Sequence, residues 1–425
     1  MITQHTKYVK LAEAKAEAKA AGSSDEHVDE RAAKVIQHMV KRYRLTFGDL
    51  GHNIFSRKGG DPADHGHIYF PDANHKAPFI TVSDTTTAAL LSNFMEKHWR
   101  LARPDIVISV TGGAQDFVLS SQLQRVFDRG LVSAASSTNA WVITGGTDTG
   151  VMKLVATAFR ENNVQVPLIG VTSFGCVNGR EALEQARKDT RTYTCGHSKP
   201  TAKGAPLNCH HTHFVFVDSG KAAPEAWGGE IALRSNLEVA YARLKSVPLV
   251  LLVVQGGPGT LNTVLSAVRL RQAVLVVRDS GGAADAIADY LRDGSTCDAK
   301  FQSEALQTTL GHIKALHDAA GDHGITVFSM HEEAEMSTML LKAMMKTLPP
   351  PRRGDAELAS GTESRARALM LAVTWDRVDM ANELLLAMST ERKFTLAHHR
   401  ALMSVLQRQV ITAVITTSTG CHTGS

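Results

Sequence analysis

The chain has 425 residues, 43% hydrophobic and 21% charged, with a net charge of +4. That length allows two or three globular domains, and so mild a charge, without a Lys/Arg block, excludes nucleic acid as the default partner. Five cysteines (Cys176, Cys195, Cys209, Cys297 and Cys421) are odd in number and widely spaced, which points away from a disulfide framework and towards a reducing compartment.

The N-terminus lacks an apolar signal core, since Glu13 and Glu17 interrupt its first alanine-rich stretch. The longest apolar run, residues 247–254, falls far short of the roughly 20 residues that span a bilayer, so a soluble chain is expected. Residues 1–65 read as a helical and irregular leader. Its Ala/Lys/Glu pattern is polar nearly all round, which favours a solvated helix over a calmodulin-type target. Three prolines and a Gly-Gly pair make residues 46–79 read as irregular.

A strand (FITVS) and a helix (TTTAALLSNFMEKHW) follow. Then come short runs apolar on both faces: IVISV at 106–110, AWVIT at 140–144, PLIGVT at 167–172, HFVFV at 213–217, PLVLLVV at 248–254 and AVLVV at 273–277. Amphipathic segments separate several of them. This pattern predicts a doubly wound, mainly parallel α/β sheet covered by helices on both faces, at about residues 66–300. Residues 176–212 read as an inserted loop. From about residue 283 the strands stop. Apolar spacing of three and four predicts an all-helical region at 301–415, broken by Pro349-Pro350-Pro351, before a frayed tail at 416–425.

Three strand exits carry Gly-Gly turns: Thr111-Gly112-Gly113, Gly145-Gly146-Thr147 with Thr149 and Gly150, and Gly256-Gly257 with Gly259 and Thr260. In a parallel sheet these exits share the C-terminal edge, where ligands bind. Glycine lets backbone N–H groups approach an anion, and the following helix adds its positive end. Phosphate or pyrophosphate binding is the favoured chemistry. Tight turns or packing are the plainer explanation for any single glycine, and neither P-loop nor Rossmann spacing fits.

At these residues the chain resembles the cytoplasmic N-terminal homology region of the TRPM (melastatin-related transient receptor potential) cation channels. The likeness is carried by ISVTGGAQDF, RVFDRGLVSAASSTNAWVITGGTDTGVMK, HTHFVFVDSG, GGEIALRSNLE and VVQGGPGTLNTV. ITVFSMHEEAEMSTMLLKAMMK and LMLAVTWDRVDMANELLL resemble the helical, ankyrin-like repeats that follow in those channels. Coverage is roughly residues 66–410. The resemblance implies a Rossmann-like domain of the nucleotide-sensing SLOG superfamily, which includes the LOG phosphoribohydrolases. Their third turn reads PGGxGTxxE. Here Gly256, Gly257, Gly259 and Thr260 remain, while Asn262 and Thr263 stand at the acidic positions, so binding without turnover is expected.

The resemblance further implies an ADP-ribose-like phosphorylated nucleotide as ligand, with no catalytic cofactor. Arg234 would pair a phosphate bidentately and Trp227 would stack on adenine, while Ser280 and Gly281 border the same crevice. A second family arginine is replaced by Gly282, with Arg278 nearby. It implies neighbouring subunits of a homotetramer as partners, a cytoplasmic location, and gating of a calcium-permeable channel. Membrane contact would come only through a pore domain that this chain does not contain.

Other candidates have plainer readings. Cys209, His210, His211 and His213, with Cys195 and His197 upstream, invite a metal, but no second ligand cluster completes the set. Asp218 and Glu230 are candidates for an acid/base pair, though structural roles are favoured. Trp375, Asp376, Arg377 and Asp379 read as a packed turn between helices, and Cys176 as a buried, inert thiol.

Overall fold

The structure, a computed structural model, describes residues 64–114, 121–184, 190–195, 204–245, 247–321, 324–331, 336–347 and parts of 368–384. The leader before residue 64, the tail and most of the ankyrin-like reading lie outside the described residues.

Ten strands form one sheet: β1 (Asp64–Phe70), β2 (His75–Ser83), β3 (Ile106–Gly112), β4 (Ala140–Thr144), β5 (Leu168–Ser173), β6 (Thr190–Thr192), β7 (His213–Asp218), β8 (Leu249–Val254), β9 (Ala273–Arg278) and β10 (Thr326–Ser329). Their order is β10-β9-β8-β3-β4-β5-β7-β2-β1-β6. Every neighbouring pair is parallel except β1 with β2. The chain runs from β3 outward through β4 and β5, then returns to lay β8 on the other side of β3. The winding therefore reverses between β3 and β8, the kind of place where open α/β sheets hold ligands.

Seven helices of ten residues or more are described: α1 (Ala88–Lys97), α2 (Gly150–Glu161), α3 (Ile231–Lys245), α4 (Pro258–Arg269), α5 (Gly282–Asp293), α6 (Glu304–Ala320) and α7 (Met336–Thr347). Alternation along the central strands explains why the runs are apolar throughout. Ile106, Ile108 and Val110 of β3 and Val250, Leu252 and Val254 of β8 face one core layer, with α2 and α7. Val107 faces a second layer with α1 and α3, and Leu251 and Val253 a third with α4, α5 and α6. The helices exist because two-sided strands must be covered on both faces.

Three strands escape the sequence reading. The stretch at 46–79 read as irregular holds β1 and the start of β2, joined by the 3-10 turn Pro71–Ala73. In β1, Ile68 and Phe70 alternate with polar residues and are wholly buried, a period-2 signal that the nearby prolines obscured. Residues 176–212, read as a loop, contain the three-residue β6. The helical stretch after residue 283 contains β10, four residues paired parallel to β9. Segments this short carry almost no periodicity.

Beyond β10, Met336, Leu340, Leu341 and Met344 of α7 join the core layer under β8 and β9. Trp375 is buried in the same layer, and Arg377 donates to Ser337 Oγ at 2.9 Å, so both serve packing. Asp376 and Asp379 lie outside the described residues. Among the described residues no helix is long and apolar enough to cross a membrane.

At the far end, Arg191 of β6 is buried and clamps three pieces together. It donates to the Leu183 carbonyl at 2.6 Å, pairs with Asp64 of β1, and lies 4.8 Å from the centre of the Phe79 ring. Arg191→Ala should lower the free energy of urea unfolding by about 1–3 kcal/mol, because it strands a buried carbonyl. An unchanged midpoint would show that β6 is not held by this contact.

Candidate functional site

The exits of β3, β4, β8 and β9 meet at one sheet edge, and their glycines have two different jobs. Several make room for a neighbour's backbone or side chain. A Cβ on Gly112 would lie 2.0 Å from the Val254 carbonyl oxygen, and one on Gly113 would lie 2.2 Å from Gln255 Oε1. A Cβ on Gly256 (φ +107°) would lie 2.5 Å from Thr260 Oγ1. Thr260 is buried and directs Oγ1 to the Gly112 carbonyl at 3.3 Å. Ser280 Oγ accepts from the Gln255 N–H at 2.8 Å, and the first N–H groups of α5, from Ala283 and Ala284, bond the Gly256 and Gln255 carbonyls at 2.9 Å. The turns after β3, β8 and β9 are thus keyed into one another.

Gly282 belongs to this lock. Its φ is +59°, and a Cβ there would lie 2.3 Å from the Gly256 carbonyl oxygen. With this backbone an arginine does not fit at 282, so the departure from the resembled family is built into the packing. Gly281 (φ +91°) precedes it as the N-cap of α5. Arg278 does not fill the gap: its Nη2 lies 3.5 Å from Asp289 Oδ1, on α5.

The turn after β4 is closed as well. Gly146 (φ +74°) donates its N–H to Thr144 Oγ1 at 3.0 Å, and its carbonyl accepts from the Asn208 N–H at 3.0 Å. Gly145 accepts from Thr172 Oγ1. Thr147 and Thr149, which belong to this candidate anion-binding turn, are buried and bond each other at 2.9 Å. The cover is the segment 204–211: Thr147 bridges Leu207, and Asn208 Nδ2 reaches Asp148 Oδ1 at 2.7 Å. Val151, just after Gly150, donates to the Gly113 carbonyl.

Gly257 and Gly259 remain. A Cβ on either would meet nothing within 4 Å. Pro258 and Gly259 are exposed, and α4 begins there without a side-chain cap. The open anion-type position at this edge is therefore the start of α4, beside the β3 exit. Asn262 is exposed, and Thr263 turns its hydroxyl to the Gly259 carbonyl at 3.2 Å.

Arg234 lies beneath this edge rather than on it. It is 7% exposed, pairs Nε with Glu238 Oε1 at 2.9 Å, and directs Nη2 to Ser109 Oγ and to the Val110 and Ile143 carbonyls. Bidentate phosphate pairing, expected from sequence, would have to break these bonds. Among the described residues only Nη1 has no partner. Glu238 and Ser109 escaped the sequence reading, although the Arg234–Glu238 spacing of four on a helix is a recognisable signal. Trp227 stands nearer solvent, 41% exposed, in the loop between β7 and α3.

In the same loop, Asp218 Oδ1 accepts from the Gly220 N–H at 2.9 Å, a turn role. The Glu230 carboxyl is held above the usual carboxylate range chiefly by burial, and its Oε2 has no partner among the described residues. Burial also pushes the Cys176 thiol up to about 12, which makes it an inert thiol.

His211 is fully buried, with Nε2 2.7 Å from Thr144 Oγ1 and Nδ1 3.3 Å from Asn208 Oδ1. Both ring nitrogens hold up the β4 exit. Among the described residues no group of three His, Cys, Asp or Glu side chains is arranged to hold a metal ion, and His197 lies outside them.

Fold and edge together define a doubly wound, Rossmann-like α/β domain with interlocked glycine turns at its switch point. The chain belongs to the SLOG family of the TRPM channels, whose family model ("SLOG in TRPM") matches residues 77–330. It is 33% identical over 344 residues to a transient receptor potential cation channel subfamily M member-like 2 of Nematostella vectensis, covering 72% of this chain and 21% of that one. It is 31% identical over 371 residues to subfamily M member 2 of Mus musculus, covering 77% and 24%. It is 31% identical over 352 residues to subfamily M member 6 of Homo sapiens, covering 76% and 16%. The chain thus spans about a quarter or less of the relatives it matches.

Two outcomes check this geometry. Gly282→Ala should lower stability by roughly 2 kcal/mol or more, whereas Gly257→Ala should change it by less than about 0.5 kcal/mol in the same melts. Equal effects would mean that the turns are not interlocked. Burial lowers the pKa of the His211 ring from the ordinary histidine value of 6.5 to about 3. Its contribution to stability is therefore full above the unfolded value and declines as pH falls through that interval towards 3. Ring resonances of His211 should not titrate between about pH 7 and 5 by NMR; a midpoint inside that range would place the ring in contact with water.

Proposed function

We propose that the chain is the ligand-sensing cytoplasmic part of a TRPM-type, calcium-permeable cation channel, or a free-standing relative, and that it binds an ADP-ribose-like nucleotide without turning it over. The observation that carries this reading is the uncapped start of α4. Gly257 and Gly259 stand open there beside the β3 exit, at the switch point of the sheet. A phosphate seated on those N–H groups would have Arg234 below it and Trp227 on the same sheet edge. Absence of turnover rests on Asn262 and Thr263, neither of which can act as an acid or base near neutral pH.

In this reading occupancy passes through α7 and the ankyrin-like helices at 301–415 to neighbouring subunits of a homotetramer. The burial of Met336, Leu340 and Leu341 against the sheet supports such a mechanical connection. One observation favours a second reading, a divergent LOG-like hydrolase: Glu230 is a buried carboxyl held above the usual carboxylate range chiefly by that burial, with Oε2 unpartnered among the described residues, as in a general acid. A scaffold with a vestigial pocket is the third.

Calorimetric titration with ADP-ribose, with chromatography of the same mixture, separates the three. The sensor gives saturable heat and unchanged nucleotide, the hydrolase releases base or ribose phosphate, and the scaffold gives neither. Gly259→Asp places a negative charge at the open helix start without touching a neighbour. It should weaken binding about tenfold or more while leaving the melting temperature unchanged. Full affinity in that variant would remove the α4 terminus from the site.

A further inference from the structure

Two cysteines face each other where the cover of the β4 exit meets the flank of the sheet. Tyr193 and Cys195 follow β6, and the Tyr193 N–H bonds the Tyr69 carbonyl of β1 at 2.9 Å, so this stretch is held to the sheet. The covering segment 204–211 lies beside it. The Leu207 N–H donates to Tyr193 Oη at 3.2 Å, and Cys195 Sγ donates to the Leu207 carbonyl at 3.2 Å. Two residues further on, the Cys209 thiol is in hydrogen-bond contact with that of Cys195. Both cysteines pack against the core layer that contains Phe70 and Phe214, and both are only half-buried.

The Cys195 proton thus has two acceptors in reach, the Leu207 carbonyl and the Cys209 sulfur. The contact with Cys195 holds the Cys209 thiol below its ordinary value, against the effect of burial. Among the described residues no third His, Cys, Asp or Glu side chain joins the pair to hold a metal ion. Two thiols in contact, each with part of its surface in water, are instead arranged to be oxidised together. In a reducing compartment such a bond is transient and reports an oxidant.

We propose that Cys195 and Cys209 form a reversible disulfide, made by a hydroperoxide, that ties the cover of the β4 exit to the flank of the sheet. A half-buried sulfur admits an oxidant that small. The Cys209 thiolate attacks one peroxide oxygen: an S–O bond forms, the O–O bond breaks, and the other oxygen leaves as water with the proton that Cys209 gave up. Cys195 sulfur then attacks the resulting sulfenic acid: the S–S bond forms, the S–O bond breaks, and hydroxide leaves as water with the Cys195 proton. The two thiols lose two electrons and two protons, and the hydroperoxide is reduced. The link restrains more than the two cysteines. The Asp148 N–H bonds the Pro206 carbonyl at 2.8 Å and the Asn208 N–H bonds the Gly146 carbonyl at 3.0 Å, so the β4 exit and its cover open together. The proposal stands independently of the nucleotide reading.

The test treats the full chain with hydrogen peroxide, removes the excess, alkylates the remaining thiols and maps the peptides without reduction. The Cys195 and Cys209 peptides should be found joined, lighter than their sum by a pair of hydrogens, and dithiothreitol should separate them. Hydrogen exchange on the oxidised protein should show the Asp148 and Asn208 amides slowed at least about tenfold, because a cross-link restricts the opened state, with the original rates regained on reduction. Cys209→Ser should abolish both effects. The peptide map needs no variant, so it carries the test even if Cys209→Ser fails to fold. Alkylation of both cysteines after peroxide, or their pairing with Cys297 or a second chain, would overturn the disulfide. A joined pair with unchanged exchange at Asp148 and Asn208 would overturn its hold on the cover.

Discussion

A guanidinium buried among acceptors holds the centre of this protein together. Arg234 sits under the sheet edge, paired with Glu238 one turn along α3 and bonded to Ser109, Val110 and Ile143. A buried charge is tolerable only when its bonds are made, so helix α3 must lie where the ends of β3 and β4 can supply them. That requirement fixes the helix that returns the chain to the far side of β3. It thereby fixes the reversal in winding order and the position of Glu230 at the helix start. Ser109, wholly buried in β3, completes the set by donating to Glu238 Oε1 at 2.7 Å.

The glycines show how one residue type serves opposite ends within a few positions. Gly112, Gly113, Gly256 and Gly282 are absent side chains filled by a neighbour's backbone or side chain. Gly257 and Gly259 are absent side chains filled by nothing. A rigid surround with one open helix start is what a preorganised anion site requires, because the donors need not move on binding. The same rigidity explains why the arginine expected near residue 282 cannot simply be restored by substitution.

Much of the fold was legible in the sequence, because strands β3, β4, β5, β7, β8 and β9 are buried on both faces and advertise themselves as continuous apolar runs. β1, β6 and β10 were not. They lie at or towards the flanks of the sheet, are short or sit beside prolines, and depend on pairing rather than on their own pattern. The site divides in the same way. That glycine turns gather at one edge follows from parallel topology. Which of them are open depends on contacts between segments far apart in sequence, such as Thr147 with Leu207, and no local motif encodes those. Arg234 was legible for the same reason only as a residue near this edge; that Ser109 and two carbonyls bond it follows from packing.

The return of the chain to β3 also has a consequence for biosynthesis. The central strand has β4 on one side as soon as that strand is made, but its other neighbour, β8, is complete only when residue 254 has left the ribosome. Until then an apolar strand with unpaired backbone is an open edge in the middle of the future sheet, and an open edge invites pairing with other chains. The His211 support for the β4 exit likewise arrives only after β5 and the segment that covers it. The order of synthesis thus sets a period of vulnerability that the finished fold conceals, and it ends when the last central strand docks.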